Sequence, residues 1–319
     1  MAGLADGADG RDMTTQSLTA QRRAAWRSYR DQLAKSTART LSRRRFVSQM
    51  MIGLTFLAAL IAVLPLTLIV FHLLRQGLSS VNLDFFTHMP KPTGDVGGGM
   101  ANAVVGTGML VLIASVLGLP VGIFAGLYLA EQRGARLATV VRFLSDVLNG
   151  LPSIVLGIFA WGLLVRPFRH FSALAGGMAL AAMMIPLVTR TTEEMIRLVP
   201  VSMREAALAL GYTKWRTSLS IVLRTAMPGI VTGALLAVAR IAGETAPLIF
   251  TAFGNSFWSV SPTQPIAALP MQIYFYATAP YDDWHAQAWA GALVLLGLVL
   301  VISVAARFAT RSRAGLGSD

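Results

Sequence analysis

The chain has 319 residues, 55% of them hydrophobic and only 13% charged, with no cysteine and a formal net charge of +12. Soluble domains carry about 25% charged residues, so an ordinary globular fold is excluded. The missing thiols exclude disulfide frameworks, thiolate metal sites and cysteine nucleophiles together. The basic residues sit between and beyond apolar runs rather than on an amphipathic surface, so the charge reads as membrane topology, not nucleic-acid binding.

In chain order, residues 1–45 are polar, Arg-rich and without apolar periodicity, and are expected to form a disordered or loosely helical tail near anionic lipid. Six stretches then reach the roughly 20 apolar residues that a membrane crossing needs. They are 46–74, 101–130, 141–165, 173–188, 229–253 and 287–306. The first is too long for a signal-peptide core and is followed by no small-residue cleavage site, so it is expected to stay as an anchor. The fourth is short, and the third holds Asp146 near its start. Pro120 and Pro152 fall inside predicted helices and Pro186 near the end of one, as kinks that neighbouring helices can satisfy. Small residues (GMALAA at 177–182, GALLAVA at 233–239) favour close helix contact. The glycines of GGGMANAVVGTG (97–108) suit tight packing at the outer start of the second span.

With both termini cytoplasmic, the inner side carries ten Lys and Arg in residues 1–45, three in 131–142, six in 190–224 and three in 307–313. The outer side carries Arg75, Lys91, Arg166 and Arg169. A bias of 22 to 4 is what the positive-inside rule demands. The connection 254–286 then faces outward, and its Trp258, Tyr274, Tyr276, Tyr281 and Trp284 suit an interfacial position. The prediction is an all-α membrane protein of six transmembrane helices. It has a basic cytoplasmic tail at 1–45, a transmembrane domain at 46–310 with a cytoplasmic segment at 190–224, and a C-terminal tail at 311–319.

That cytoplasmic segment, TRTTEEMIRLVPVSMREAALALGYTKWRTSLSIVLR from Thr189, predicts two short helices. The first, near 192–198, sets Glu193 four residues before Arg197 and ends at Pro200. Ser202 is placed to cap the second, with Glu205 at capping-box spacing, and Gly211 supplies a C-terminal stop. The plain reading is a surface connector. Antiparallel helices need only about 2–8 residues between them, so the length points to function.

Arg240 and Glu244 fall inside the fifth predicted span, where one ionised side chain costs about 2.5–3.5 kcal/mol. Four residues apart on a helix, they would share a face and partly neutralise each other. Two readings stay open. One is a self-compensating pair that orients the helix. The other is a face on a translocation path, where Arg240 offers planar donors to an oxyanion and Glu244 keeps the binding shallow. Gly243 would admit a neighbouring helix, and Pro247 would kink the span as a gate. Asp146 is most simply paired with Arg142, one turn earlier. Arg190, at the cytoplasmic end of the fourth span, has a topological anchor as its plain reading.

Glu205-Ala206-Ala207, then Gly211, then Ile221 and Leu223 follow the pattern E-A-A, three residues, G, nine residues, I-x-L. This resembles the coupling loop of ABC importer permeases, in which a short helix sits in a groove of the ATPase subunit. That pattern usually ends in proline; here Arg224 stands in its place, and Pro228 follows four residues later. IPLVTRTTEEMIRLVP (185–200), ARIAGETAPLIFTAFGNSFW (239–258) and the ALPMQIYFYA and APYDDWHAQAWAGALVL stretches (268–295) narrow the likeness. They resemble the PstA-type permease subunits of bacterial high-affinity phosphate ABC importers, over residues 95–306. The long basic tail departs from the short N-terminus usual there.

The resemblance implies a type I, MetI-like importer permease fold in the bacterial cytoplasmic (inner) membrane, and transport of inorganic phosphate. It implies as partners a second homologous permease subunit (PstC-like), two ATPase subunits (PstB-like) and an extracytoplasmic phosphate-binding protein (PstS-like), within membrane lipid. Glu205, Ala206, Ala207 and Gly211 would form the ATPase-coupling helix. The arginines of ARIAGET and TRTTEE are functionally implicated in that family and match Arg240 and Arg190, which places these two, with Glu244, on the substrate path. No catalysis and no cofactor are expected of this chain, since ATP and Mg are used by the partner ATPase subunits.

In keeping with that, no G-x-x-x-x-G-K-[ST] phosphate loop occurs, and His72, His88, His170 and His285 lack metal-ligand spacing. An ion-coupled secondary transporter is the competing class. It calls for half-repeats, which are not found, and for intramembrane carboxylates, of which Glu244 is the clear candidate. An intramembrane enzyme would need nucleophile or metal motifs that the chain lacks.

Overall fold

The structure is a computed structural model, and it describes residues 9–92, 95, 97–132 and 134–314, the side chains of 9–25, 31–42, 306 and 309–314 excepted. The first eight residues of the basic tail, Arg133 and the last five residues of the C-terminal tail lie outside the described residues. Residues up to Val70 form one unit and those from Phe71 onward a second.

Helix α1 (Asp9–Gly77) takes in most of the basic tail and the first apolar stretch, with Pro65 in its interior. The second unit begins with the end of α1 and continues through α2 (Leu83–Thr87), α3 (Ala101–Glu131), α4 (Arg136–Gly150) and α5 (Ser153–Ala160). After a π-helical turn come α6 (Arg166–Phe168), α7 (Ala173–Arg197), α8 (Val201–Ala209) and α9 (Lys214–Thr217). A second π-helical turn, Ser218–Val222, leads into α10 (Leu223–Ala242), followed by α11 (Ala246–Thr251), α12 (Leu269–Ala277) and α13 (Asp282–Ala314). Among the described residues, five stretches are long and apolar enough to cross a membrane: Arg43–Gly77, Ala101–Glu131, Ala173–Arg197, Lys214–Ala242 and Asp282–Ala305. A sixth results if Arg136–Gly150 and Ser153–Phe168, bent by 107°, count as one span.

Three predicted spans are redrawn, the fifth, 229–253, becoming Lys214–Ala242. The third, 141–165, is broken rather than kinked, because Leu151 and Pro152 are both extended (ψ 137° and 136°). Proline has no amide to continue the ladder, and its ring drives the preceding residue out of the α region. The fourth is longer than 173–188. Its helix runs on to Arg197 with Pro186 inside it, absorbing what the sequence suggested was a separate helix near 192–198. No glycine or proline interrupts residues 187–199, so nothing stops the helix before Pro200.

Small residues set the packing. Gly118, Gly122 and Gly126 line one face of α3 at four-residue spacing, and α7 lies against them in parallel. A Cβ on Gly122 would come within 2.8 Å of Val188 Cβ, and one on Gly126 within 2.6 Å of the Thr189 carbonyl oxygen and Thr192 Cβ. Helix α10 packs on α7 in the opposite direction, Gly233 against Thr191 and Gly229 against Met195. Inside hydrocarbon, where burial against lipid gains little, such close backbone approach supplies the dispersion contacts that hold helices together. Leu110, Leu180, Met184, Ile241, Leu248, Ile266 and Met271 fill the core between them.

The connection predicted to face outward is partly core. Ile266, Ala267, Ala268 and Leu269 are buried, and Gly106 of α3 is in backbone contact with the Ala267 carbonyl. The polar backbone there is satisfied internally. Leu269 N–H donates to Thr107 Oγ1 (2.8 Å), and Asn102 Nδ2 donates to the Asn255 carbonyl (2.7 Å). The Ala173 and Leu174 amides at the start of α7 donate to Gln264 and Pro262 carbonyls at 2.9 and 2.8 Å. Tyr276 stacks on Trp284 with ring centroids 4.4 Å apart, and its burial pushes the phenol above its ordinary range.

Candidate functional site

The E-A-A segment forms α8, and its ends differ from the capping-box expectation. Pro200 occupies the N-cap position and no side chain caps the helix, so Ser202 and Glu205 lie inside it. Pro200 has no N–H to leave unsatisfied and a φ of −57° suited to a helix start, which moves the boundary upstream. The far end is as the glycine suggested. Gly211 adopts φ +82°, its N–H donates to the Leu208 carbonyl (3.0 Å), and the Tyr212 N–H donates to the Ala207 carbonyl (3.2 Å). That pair of bonds is a Schellman closure.

Little of α8 is buried. Ala207 is its one buried residue, and one methyl contributes about 1 kcal/mol. Glu205 and Ala206 are exposed, as are Val201, Leu208, Leu210 (79%) and Trp215 (66%) around them. Arg204 instead turns inward, forming an ion pair with Glu131 at the last residue of α3, and its Nη2 donates to the Ile196 carbonyl at 3.4 Å. Ile221 of the motif lies on the π-helical turn before α10, and Arg224, in the usual proline position, is exposed on the first turn of α10.

A second cluster joins α4 to α7. Glu193 is 3% exposed and accepts from two guanidiniums, Arg142 (2.7 Å) and Arg197. Asp146 does not pair with Arg142, as local spacing suggested, but with Arg190 (3.2 Å), whose Nε donates to Glu194 (3.0 Å). The correction follows from the antiparallel docking of α4 on α7, which sets Arg142 beside Glu193 and Asp146 beside Arg190. Arg190, Asp146 and Glu194 are each about half exposed.

Arg240 and Glu244 do not share a helical face. Helix α10 stops at Ala242, Gly243 caps it by donating to the Arg240 carbonyl (3.2 Å), and Pro247 opens α11 instead of kinking a continuous helix. A glycine cap followed by an N-terminal proline ends one helix and starts another, so the i,i+4 geometry never forms. Neither residue has an ion pair or side-chain hydrogen bond among the described residues, and Arg240 is exposed. Among the described residues, an added Cβ on Gly243 would meet only the Arg240 carbonyl, at 3.7 Å. The close approach is at Gly157 of α5, where a Cβ would lie 2.7 Å from Pro247 Cα. Since Gly233 lies level with Thr191, Arg240 stands about 10 Å further along the bundle than Arg190. The two arginines lie apart on neighbouring helices.

A family model described as "Binding-protein-dependent transport system inner membrane component" matches residues 118–314. The "Phosphate transport system permease protein PstA" of Yersinia pestis is 45% identical over 276 residues, covering 86% of this chain and 94% of that protein. The chain belongs to the PstA family of binding-protein-dependent transport permeases. The protein of that name in Xylella fastidiosa strain Temecula1 is 47% identical over 83% of this chain and 93% of its own length. A "Probable phosphate transport system permease protein PstA" of Methanocaldococcus jannaschii is 37% identical over 79% and 89%. Among solved structures, an inward-facing MetNI methionine ABC transporter superposes with a TM-score of 0.56 at 19% identity, covering 67% of this chain and 96% of that one. At that identity the likeness shows the fold: this PstA-family permease is an all-α, multi-pass membrane protein of the MetI-like type. Asp146, Glu194 and Glu131 are among the charged residues that sequence reasoning did not place at a site. Their partners lie 44, 4 and 73 residues away, and only the i,i+4 spacing of Arg190 and Glu194 left a local signal.

Proposed function

We propose that the chain is the non-catalytic permease subunit of an ATP-driven importer for inorganic phosphate in the bacterial inner membrane. It forms half of the translocation path beside a second permease and engages an ATPase through α8. The observation that carries this is the 45% identity to a phosphate transport permease over 86% of the chain. The charge placement supports it. Arg190, Asp146 and Glu194 form a half-exposed cluster at the cytoplasmic end of the fourth span, where an anion leaving the path can meet them. The 22-to-4 distribution of Lys and Arg supports six spans, with α8 and both tails in the cytoplasm and an extracytoplasmic binding protein opposite.

The path residues suit transient capture. Arg190 and Arg240 present planar donors to phosphate oxygens, about 10 Å apart along the bundle. Phosphate reaching Arg190 displaces two carboxylates, Asp146 and Glu194, so the site is shallow, as transport requires. ATP-driven closure of the ATPases moves α8 and shifts the bundle between outward- and inward-open states; hydrolysis resets it.

Uptake of labelled phosphate into vesicles holding the permeases and ATPases, with binding protein supplied, tests the reading. Accumulation should require ATP and survive collapse of the proton gradient. Accumulation that persists without ATP but vanishes with the gradient overturns it.

A further inference from the structure

We infer that Glu131 is a positioning residue for energy coupling: its ion pair with Arg204 is the joint that passes movement of α8 into α3. The inference rests on the reading of α8 as the ATPase-contacting helix. Helix α8 has one buried residue, Ala207, and its flanking connections end in Pro200 and Gly211, both of which interrupt helix. The polar side-chain attachments of α8 to another span among the described residues are those of Arg204, to Glu131 of α3 and the Ile196 carbonyl of α7. Both charged groups are mostly enclosed, at 22% and 28% exposure, which shields the pair from the screening that weakens surface ion pairs.

What the joint holds is a rod. Helix α3 runs unbroken for 31 residues, about 46 Å, with Pro120 inside it. Its glycine face locks against α7, so pulling on its last residue moves it as a body. At its other end α3 grips the buried segment after α11, through Asn102 to the Asn255 carbonyl, Thr107 to the Leu269 amide, and Gly106 against Ala267. A single helix therefore connects α8 with the segment that caps the start of α7, and Arg204–Glu131 is its connection at the α8 end.

The test is a charge-swap cycle in the assembled complex, reading phosphate accumulated per ATP hydrolysed. Glu131→Arg and Arg204→Glu should each lower that ratio roughly tenfold while ATPase subunits still co-purify, and the double swap should restore it to within about threefold of wild type. Glu131→Gln, which removes charge on the α3 side alone, should lower the ratio by a smaller factor. Single variants that keep the wild-type ratio overturn the joint, as does a double swap no better than the singles or a loss of assembly that accounts for the whole effect. A wild-type complex that fails to couple phosphate uptake to ATP would instead sink the functional reading on which the joint rests.

Discussion

Replacing Gly126 by alanine isolates what the small-residue face of α3 contributes. The added Cβ would sit 2.6 Å from both the Thr189 carbonyl oxygen and Thr192 Cβ, and a backbone oxygen cannot swing aside as a side-chain tip can. Gly108, on the same helix, has nothing within 4 Å of its Cβ position, so Gly108→Ala carries the helix-propensity gain of about 1 kcal/mol without any collision. Propensity cancels between the two variants, leaving an overpacking cost of about 1–3 kcal/mol for Gly126→Ala. In the purified protein that corresponds to a gap in melting temperature of about 2–12 °C. Thermal unfolding of both variants in one detergent measures it. Equal stabilities would refute the claim that α3 and α7 are held at backbone contact.

Gly211→Val should insert and assemble yet lose most uptake, because φ +82° costs a β-branched residue about 1–2 kcal/mol with no neighbour to relieve it; normal uptake would contradict a coupling role for the Schellman turn. Arg240→Gln should cut phosphate flux severalfold with unchanged yield of complex, since among the described residues none pairs with that guanidinium, and an equal loss of yield would mark it as structural. Arg142→Leu removes one of two donors from the buried Glu193 carboxylate and should cost about 1.5–3 kcal/mol in a melting assay, against near-neutrality for a change at exposed Arg224. Because the chain has no cysteine, Leu210→Cys gives a single reporter; an impermeant maleimide should reach it from the cytoplasmic face of vesicles, and labelling from the outer face alone would reverse the topology.

Spanning helices were legible because about 20 apolar residues in a row have few other uses, and α8 because Pro200 and Gly211 bracket it chemically. The break at Leu151 was also written in the chain, as Asn149-Gly150-Leu151-Pro152, but the apolar count across 141–165 outweighed those turn residues. The partner of Asp146 was not legible, nor was it legible that Arg240 pairs with none of the described residues. Local spacing offers Arg142 to Asp146 and Glu244 to Arg240, whereas the docking of α4 on α7 and the cap at Gly243 decide otherwise. Tertiary contact overrides an i,i+4 preference worth only about 0.2–0.5 kcal/mol.

The hydrogen bonds at the start of α7 bear on how the protein is made. Its amides at Ala173 and Leu174 are closed by carbonyls of Gln264 and Pro262, some ninety residues later in the chain. During synthesis this span therefore leaves the ribosome and enters the bilayer with its first two amides open, and they stay so until the last fifth of the chain arrives. The clasp becomes available with one span, Asp282–Ala305, still to be made. A nascent chain arrested before residue 264 should be held by quality-control proteases as an incomplete product, however many of its spans are already in place.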